Sequence, residues 1–335
     1  MREVAELAGV GMSSVSRVLS NHPDVSQAMR DRVMPAVEAL GYQPDMLAQS
    51  LRKRETKTVG FVIGDIANPL LAEIASGAEA ALRGAGYSLL LTNSENEPAL
   101  DARHIALLEQ RRVDGLLLSL AAEDDPATVD LLSRTASPIV LVDRELPPSV
   151  RASAVLSDHR SGIAAAVDHL LDLGHRDIGL ILGQPLRFSR ERQAGLEEAY
   201  ARRGLPPTYA IVDGRLASGH GRHGSRLDAT RRLLNGPNPR TAIIAGGNQL
   251  LMGTMEVLRE EGLRVGRDIS LVSCDAVPIT ELYDPPIAVV RRDNIEIGRR
   301  AAQLLLDLLE REGEPRQDIL PTEFLPRPSC APPRR

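Results

Sequence analysis

What most constrains this chain is a succession of short apolar runs that begins at Thr58: TVGFVIGD, YSLLLTNS, GLLLSL, IVLVDRE, AVLSD, DIGLILG, YAIVDG, AIIAGG, ISLVSCD and IAVVRRD. Stretches with helical spacing separate them. A strand with one wet face alternates apolar and polar residues. Continuous apolar runs between helices instead imply parallel strands covered on both sides. Ten such strands are more than one twisted sheet comfortably holds, which predicts two α/β subdomains. Most runs end in Asp, Asn, Ser or Gly, and open α/β sheets bind ligands at the carboxyl ends of their strands. Asp65, Ser94, Ser119, Asp143, Asp158, Asp213 and Asp275 are therefore candidates to line a cleft. The same residue types also cap the helices that follow strands, so each has a purely structural reading as well.

The first 41 residues read as three short helices. The first ends at Gly9, a residue that tolerates the left-handed backbone past a helix end. The second covers Met12 to Leu19. Asn21-His22-Pro23-Asp24 is turn chemistry. Ser26 can cap a third helix with an apolar stripe of Met29, Val33, Ala36, Val37 and Leu40, ending at Gly41. Two helices so close, the second with Ser13, Ser14, Ser16 and Arg17 on its polar side, suit a helix-turn-helix. Small residues let a helix approach base edges, and Arg17 can reach a phosphate or a guanine. A helical hairpin with a solvated face explains the same spacing. Residues 1 to 58 carry eight Lys/Arg against seven Asp/Glu, while the rest is acidic, a weak contrast of the right sign for a nucleic-acid-binding segment. After the break Tyr42-Gln43-Pro44-Asp45 comes a short helical stretch, Asp45 to Leu51, and the polar linker RKRETK.

Other classes find little support. Cys274 and Cys330 lie far apart with no metal-ligand spacing, so neither a disulfide framework nor a metal site is expected. No basic segment followed by an apolar run opens the chain, and no apolar run is long enough to span a membrane, so a cytoplasmic location is expected. GHGRHG, 219 to 224, has the form of a dinucleotide fingerprint, but it lies late in the chain and the next strand, AIIAGG, ends without an acid. No third ligand joins His220 and His223. No catalytic constellation appears, so neither an enzyme nor a cofactor is expected.

The residues resemble one family over essentially the whole chain. EVAELAGVGMSSVSRVLSNHPDVSQAMRDRV resembles the DNA-binding headpiece of the LacI/GalR family of bacterial transcription regulators, and GYQPDMLAQSLR its hinge segment. DIANP, RVDGLLL, VLVDR, LLDLGHRDIGLI, RQAGLEEA, MEVLREEGLRVGRDISLVSCD and IGRRAAQLLL resemble its effector-binding core, which shares the periplasmic sugar-binding-protein fold. The resemblance implies a headpiece over 1–44 and a hinge helix and linker over 45–57. It implies an effector-core N-subdomain of 58–158 plus 288–314 and a C-subdomain of 159–287 plus 315–330.

It also implies a homodimer that reads a pseudo-palindromic operator in duplex DNA. Met12, Ser13, Ser14, Ser16, Arg17 and Asn21 would face bases and phosphates. Ala48, Gln49 and Leu51 would enter the minor groove from the hinge, Leu51 as a wedge that kinks the duplex. A periplasmic binding protein or an α/β enzyme would have no use for residues 1 to 51. The chain opens where the family's first helix is already under way, which implies a natural start a few residues upstream. Gly11 stands where the family places a capping Ser, Pro35 interrupts the third helix, Asp45 replaces a hinge Asn, and Gln249 follows Asn248 in place of an Asp.

The effector is expected between the core subdomains. By resemblance Arg192, three residues before Gly195, grips it, and Asp275 accepts its hydroxyl hydrogens. Asn248, Asp143, Asp158 and Ser119 stand nearby, with Leu70 and Leu71 (and Arg215-Leu216) where aromatic platforms are common. The chain has no Trp and three Phe. Arg144, Arg187, Arg190, Arg192 and Arg215 make the region rich in guanidinium, which favours a small polar effector, a sugar acid or sugar phosphate over a neutral disaccharide.

Overall fold

The computed structural model describes residues 1–20, 22–42, 55–214, 222–236, 238–311 and 313–334, the side chains of 222–226 excepted. It divides into two compact units, Met1–Thr56 and Lys57–Arg335.

The first unit holds α1 (Arg2–Ala8), α2 (Met12–Leu19) and α3 (Gln27–Ala39). Gly9 ends α1 at φ 64°, and the Ser26 side chain accepts from the Met29 amide at the start of α3. Both features follow from local chemistry and match the sequence reading. Gly11 occupies the cap position of α2 and supplies no side-chain acceptor. The core is small: Val4, Ala5, Val15, Val18, Val33 and Ala36, with Val10, Leu19 and Tyr42 against it. Arg32 braces the end of α1, donating from Nη2 to the Ala8 and Gly9 carbonyls at 3.1 and 2.9 Å. Pro35 lies inside α3.

The second unit contains two six-stranded sheets. In chain order its elements are β1 (Thr58–Ile63), α4 (Pro69–Gly84), β2 (Ser88–Asn93), α5 (Pro98–Gln110), β3 (Gly115–Ser119), α6 (Pro126–Arg134), β4 (Ile139–Val142) and β5 (Ser153–Ser157). Then come α7 (His159–Asp172), β6 (Ile178–Leu182), α8 (Arg187–Arg202), β7 (Ala210–Asp213), α9 (Arg222–Leu234), β8 (Ala242–Ala245), α10 (Asn248–Glu260), β9 (Ser270–Ser273) and α11 (Pro278–Leu282). The last are β10 (Ala288–Arg291), α12 (Asn294–Glu310), β11 (Gln317–Leu320) and β12 (Glu323–Leu325). The first sheet runs β11-β5-β4-β3-β1-β2, all parallel; the second runs β12-β10-β9-β8-β6-β7, parallel except for β12. Central strands such as β3, β4 and β6 are buried at every residue, as continuous apolar runs require.

Each sheet has an apolar layer on either face. α4 and α12 cover one side of the first sheet through Ile74, Leu82, Ile297 and Leu305, and α5 and α6 the other through Ile105, Leu108 and Leu132. α7 and α8 cover one side of the second sheet, and α9 and α10 the other. The chain crosses between the lobes three times, after β5, after β10 and after β11.

All ten strands read from the sequence are present. Two more, β11 and β12, are present without any continuous apolar run in the sequence. They also correct the lobe boundaries expected at 288–314 and 315–330. β10 pairs with β9 and β12 in the second sheet, and β11 pairs with β5 in the first. The fully buried Ala288, Val289 and Val290 need partners on both sides, and only the second sheet offers two. Half-exposed Gln317–Leu320 suits an edge.

Candidate functional site

In the first unit, the second helix separates its faces. Val15 and Val18 are buried under α1 and α3, while Met12, Ser13 and Arg17 are exposed and Ser14 and Ser16 half-buried. The hydroxyls and guanidinium expected to face DNA thus share one accessible surface. Asn21, Ala48, Gln49 and Leu51 lie outside the described residues, as do Arg215, Leu216 and the first half of the GHGRHG segment.

In the second unit, a cleft opens between the lobes at the carboxyl ends of both parallel sheets, where loops leave the strands. The space open to the centres of water molecules is about 190 Å³, room for a ligand of roughly a dozen non-hydrogen atoms. Seven of the eight expected effector residues line it: Leu70, Leu71, Ser119, Asp143, Arg192, Asn248 and Asp275. Asp158 does not. Its carboxylate accepts from the Ser161 amide at 3.1 Å and caps α7, so the structural reading of that strand-end acid is the right one. Ser94 is also withdrawn, its hydroxyl donating to the Ile63 carbonyl inside the first lobe.

The charged groups form one linked set. Asp143 sits just past β4 with φ 51°, a left-handed backbone that is uncommon outside glycine and costs energy to hold. Its carboxylate accepts from the Ser157 amide at 2.6 Å, from the Ser157 hydroxyl at 2.9 Å and from Arg292, and lies 3.5 Å from His159 Nε2. Burial works against the Asp143 charge, but His159, Arg292 and the Ser157 amide outweigh it and hold the carboxyl well below its ordinary range. Burial, aided by the cations Arg192 and Arg292, pushes His159 down, so at neutral pH it is the uncharged member of the set.

Asp275 ends β9. Its Oδ2 accepts the Asn248 amide at 2.9 Å, capping α10 where Gly247 has no side chain to do so. Its Oδ1 is 3.8 Å from Arg292 Nη2, so Arg292 bridges an acid of each lobe. Arg192 donates from Nη1 to the Gly246 carbonyl at 2.8 Å. The Phe188 ring lies 5.1 Å from the Arg192 guanidinium and 5.3 Å from that of Arg144.

Two hydrogen bonds cross the mouth: Asn248 Nδ2 donates to Asn68 Oδ1 at 3.1 Å, and Gln249 Nε2 to Asp65 Oδ2 at 2.9 Å. The second explains the unusual Gln249, because an acid there would meet Asp65 charge to charge. Among the buried side-chain atoms left without a hydrogen-bond partner are Arg192 Nε, Arg292 Nε and Asp275 Oδ1. Leaving such atoms without a hydrogen bond costs roughly 1–3 kcal/mol each; Asp275 Oδ1 keeps its ion pair with Arg292, and all three atoms are closed to solvent behind the cleft lining, so a ligand reaches them only when these side chains shift.

Sequence reasoning missed Arg292, Phe188 and Asn68, all of which line the cleft. Arg292 follows a strand end, the one signal that could have found it. Phe188 is the second residue of an arginine-rich helix and carries no local sign of its role. Conversely, Arg187 and Arg190, counted as ligand-facing cations, do not line the cleft; they pair with Glu145 and with Glu123 and Glu145 respectively. Burial raises the Cys274 thiol to about 11, which leaves it inert beside Asp275.

Comparison with known proteins supplies context. Residues 1–45 match the family model for bacterial regulatory proteins of the lacI family, and residues 167–330 that for a periplasmic binding protein-like domain. The chain is 30% identical to the HTH-type transcriptional repressor PurR of Haemophilus influenzae (strain PittEE), over 94% of this chain and 92% of the relative. Among solved structures it is similar to the lac repressor dimer bound to operator and the anti-inducer ONPF, with a TM-score of 0.84, 26% identity and 98% of both chains covered. It is also similar to a complex of the transcriptional regulator CelR with cellobiose, with a TM-score of 0.72, 30% identity and the same coverage.

Proposed function

The chain belongs to the LacI family of bacterial regulatory proteins, and from that premise we propose that it is a repressor whose grip on its operator is set by a neutral polyhydroxylated effector held in the interlobe cleft. It is a DNA-binding transcription regulator and not an enzyme. We assign it to the cytoplasm, where operator DNA is; no described helix is long and apolar enough to cross a membrane.

The observation that carries the effector reading is the gathering of Asp143, Arg192, Asn248, Asp275 and Arg292 beside apolar Leu70, Leu71 and Phe188 on one cleft. A sugar hydroxyl both donates and accepts, so it satisfies a carboxylate and a guanidinium together. Leu70, Leu71 and Phe188 offer apolar surface for the C–H face of a ring. A neutral ligand fits better than the anion suggested by the arginine count. Asp65, Glu95, Glu97, Asp143 and Asp275 line the cleft against Arg144, Arg192 and Arg292, and Arg144 already donates to the Leu120 and Asp143 carbonyls.

Met12, Ser13 and Arg17 form the operator-facing surface of the headpiece in this reading, and Leu51 the minor-groove wedge, with two chains on a pseudo-palindromic site. Titration calorimetry of the full chain against matched neutral sugars, sugar acids, sugar phosphates and purine bases tests the effector class. The expected result is binding of a neutral sugar that Arg192→Ala and Asp275→Asn abolish. Preference for an acid, a phosphate or a base, or binding unaffected by both substitutions, refutes it.

A further inference from the structure

Away from the effector-lining atoms, the lobes are joined by a second cluster of charges. Glu123, in the loop after β3, projects from the first lobe with its side chain only 9% exposed. Both of its oxygens accept the backbone amide of Arg187, at 3.1 and 3.0 Å. Oε1 also accepts the Glu145 amide at 3.0 Å, and Oε2 the Arg190 guanidinium at 2.8 Å. Glu145 closes the cluster, taking Arg187 Nε at 3.2 Å and Arg190 Nη2 at 3.1 Å. Arg187 Nη1 reaches back to the Ser157 carbonyl at 3.1 Å.

Arg187 is the first residue of α8, and the cap position, Leu186, has no side chain that could accept its amides. The carboxylate that serves this helix end therefore comes from the other lobe. A negative charge is favoured there by the helix dipole, and each of its hydrogen bonds to a cation or a helix amide is charge-assisted. The same helix carries Phe188 and Arg192 into the effector cleft, one and five residues further on.

We propose that Glu123 is an interlobe latch: by capping α8 across the lobe boundary and gathering Arg187, Arg190 and Glu145, it holds the cleft closed and sets the position of Arg192 and Phe188. It is a positioning residue that never touches the effector. Its consequence for affinity rests on the cleft being the effector site; the closure itself does not.

The test needs no effector. Ser119 lines the cleft and is 1% exposed, so Ser119→Cys introduces a near-isosteric thiol that a bulky thiol reagent reaches when the lobes part. The modification rate at that position is followed in the full chain, with the Ser119 parent as the blank for Cys274 and Cys330. Adding Glu123→Ala is expected to raise the rate about tenfold or more, since it leaves the Arg187 and Glu145 amides without their acceptor and removes the one carboxylate that caps α8 from the other lobe. Glu123→Gln, which keeps an acceptor but not the charge, gives an intermediate rate, and Arg190→Ala raises the rate with an unchanged melting temperature. Should Glu123→Ala fail to fold, Arg190→Ala and Glu145→Gln, at half-exposed side chains, decide the question. A merely structural Glu123 would lower the melting temperature and leave the thiol rate alone. Parent-like rates in the folded variants overturn the latch. If instead the rates rise while Arg192→Ala leaves sugar binding intact, the latch stands and the effector assignment falls.

Discussion

Replacing Pro35 with Ala should stabilise the DNA-binding headpiece. Pro35 is the ninth residue of α3, which runs from Gln27 to Ala39. It has no amide hydrogen for the Asp31 carbonyl one turn earlier, and its ring crowds that carbonyl. Its side chain is exposed, so the substitution removes no packing. Proline inside a regular helix costs about 3 kcal/mol relative to alanine. That figure is a difference between helix and unfolded chain, so it already contains the stiffness that proline gives the unfolded state. The gain is about 3 kcal/mol, a factor of roughly 150 in the folded population. A unit with so small a core has a total stability of a few kcal/mol, so the change is a large share of it. Amide hydrogen exchange on the full chain without DNA measures it. Amides of α1 to α3 should exchange roughly 150-fold more slowly in Pro35→Ala, and those of β3 and β6 at parent rates. Equal protection in both proteins would refute the argument and show that the helix already accommodates the ring at no cost.

Further expectations concern packing, DNA and pH. α4 and α12 cross at Gly77 and Gly298, where a Cβ on Gly298 would stand 1.9 Å from the Ile74 carbonyl oxygen; Gly298→Ala should cost at least about 3 kcal/mol by urea unfolding, and a parent-like midpoint would contradict the close crossing. Arg17→Ala should weaken operator binding by about 1–3 kcal/mol if it reads a base, and a footprint without two-fold symmetry or a salt-independent affinity would count against the dimer reading. Leu51→Ala should reduce operator bending while leaving effector binding intact, which a gel-shift bending assay follows. Burial holds His159 and His175 below their ordinary pKa, so from pH 6.5 downward the unfolded chain binds more protons and the core loses stability. Burial raises Asp101, which acts in the opposite direction, so the informative comparison is His159→Gln against the parent; its melting temperature should fall less between pH 7 and 5, and parallel curves would exclude the histidine as a cause.

Much of this protein is local and was legible as such. Gly9 and Ser26 end and begin helices because of what their own backbone and side chain can do, and β1 to β10 announce themselves as continuous apolar runs, which strands covered on both faces, such as β1, β3 and β6, require. β11 and β12 are short, half-exposed edge strands, QDIL and EFL, and carry no such run. Nor could chain order tell that β10 joins the second sheet and β11 the first, since lobe membership is decided by which neighbours complete a ladder.

The site divides along the same line. Strand-end chemistry pointed to Asp65, Ser119, Asp143 and Asp275 and equally to Asp158, because capping a helix and facing a ligand ask for the same oxygen; only the surrounding fold shows that Asp158 turns to Ser161 outside the cleft while Asp275, which also caps a helix, lines it. The arginines make the point most strongly. Sequence supplied five cations near the effector, but Arg187 and Arg190 are held by Glu123 and Glu145, more than 40 residues earlier in the chain, while Arg292, 100 residues after Arg192, enters the cleft instead. A side chain's type follows from the sequence, but its partner is whatever the folded chain sets opposite it, and for a charge the partner decides the role.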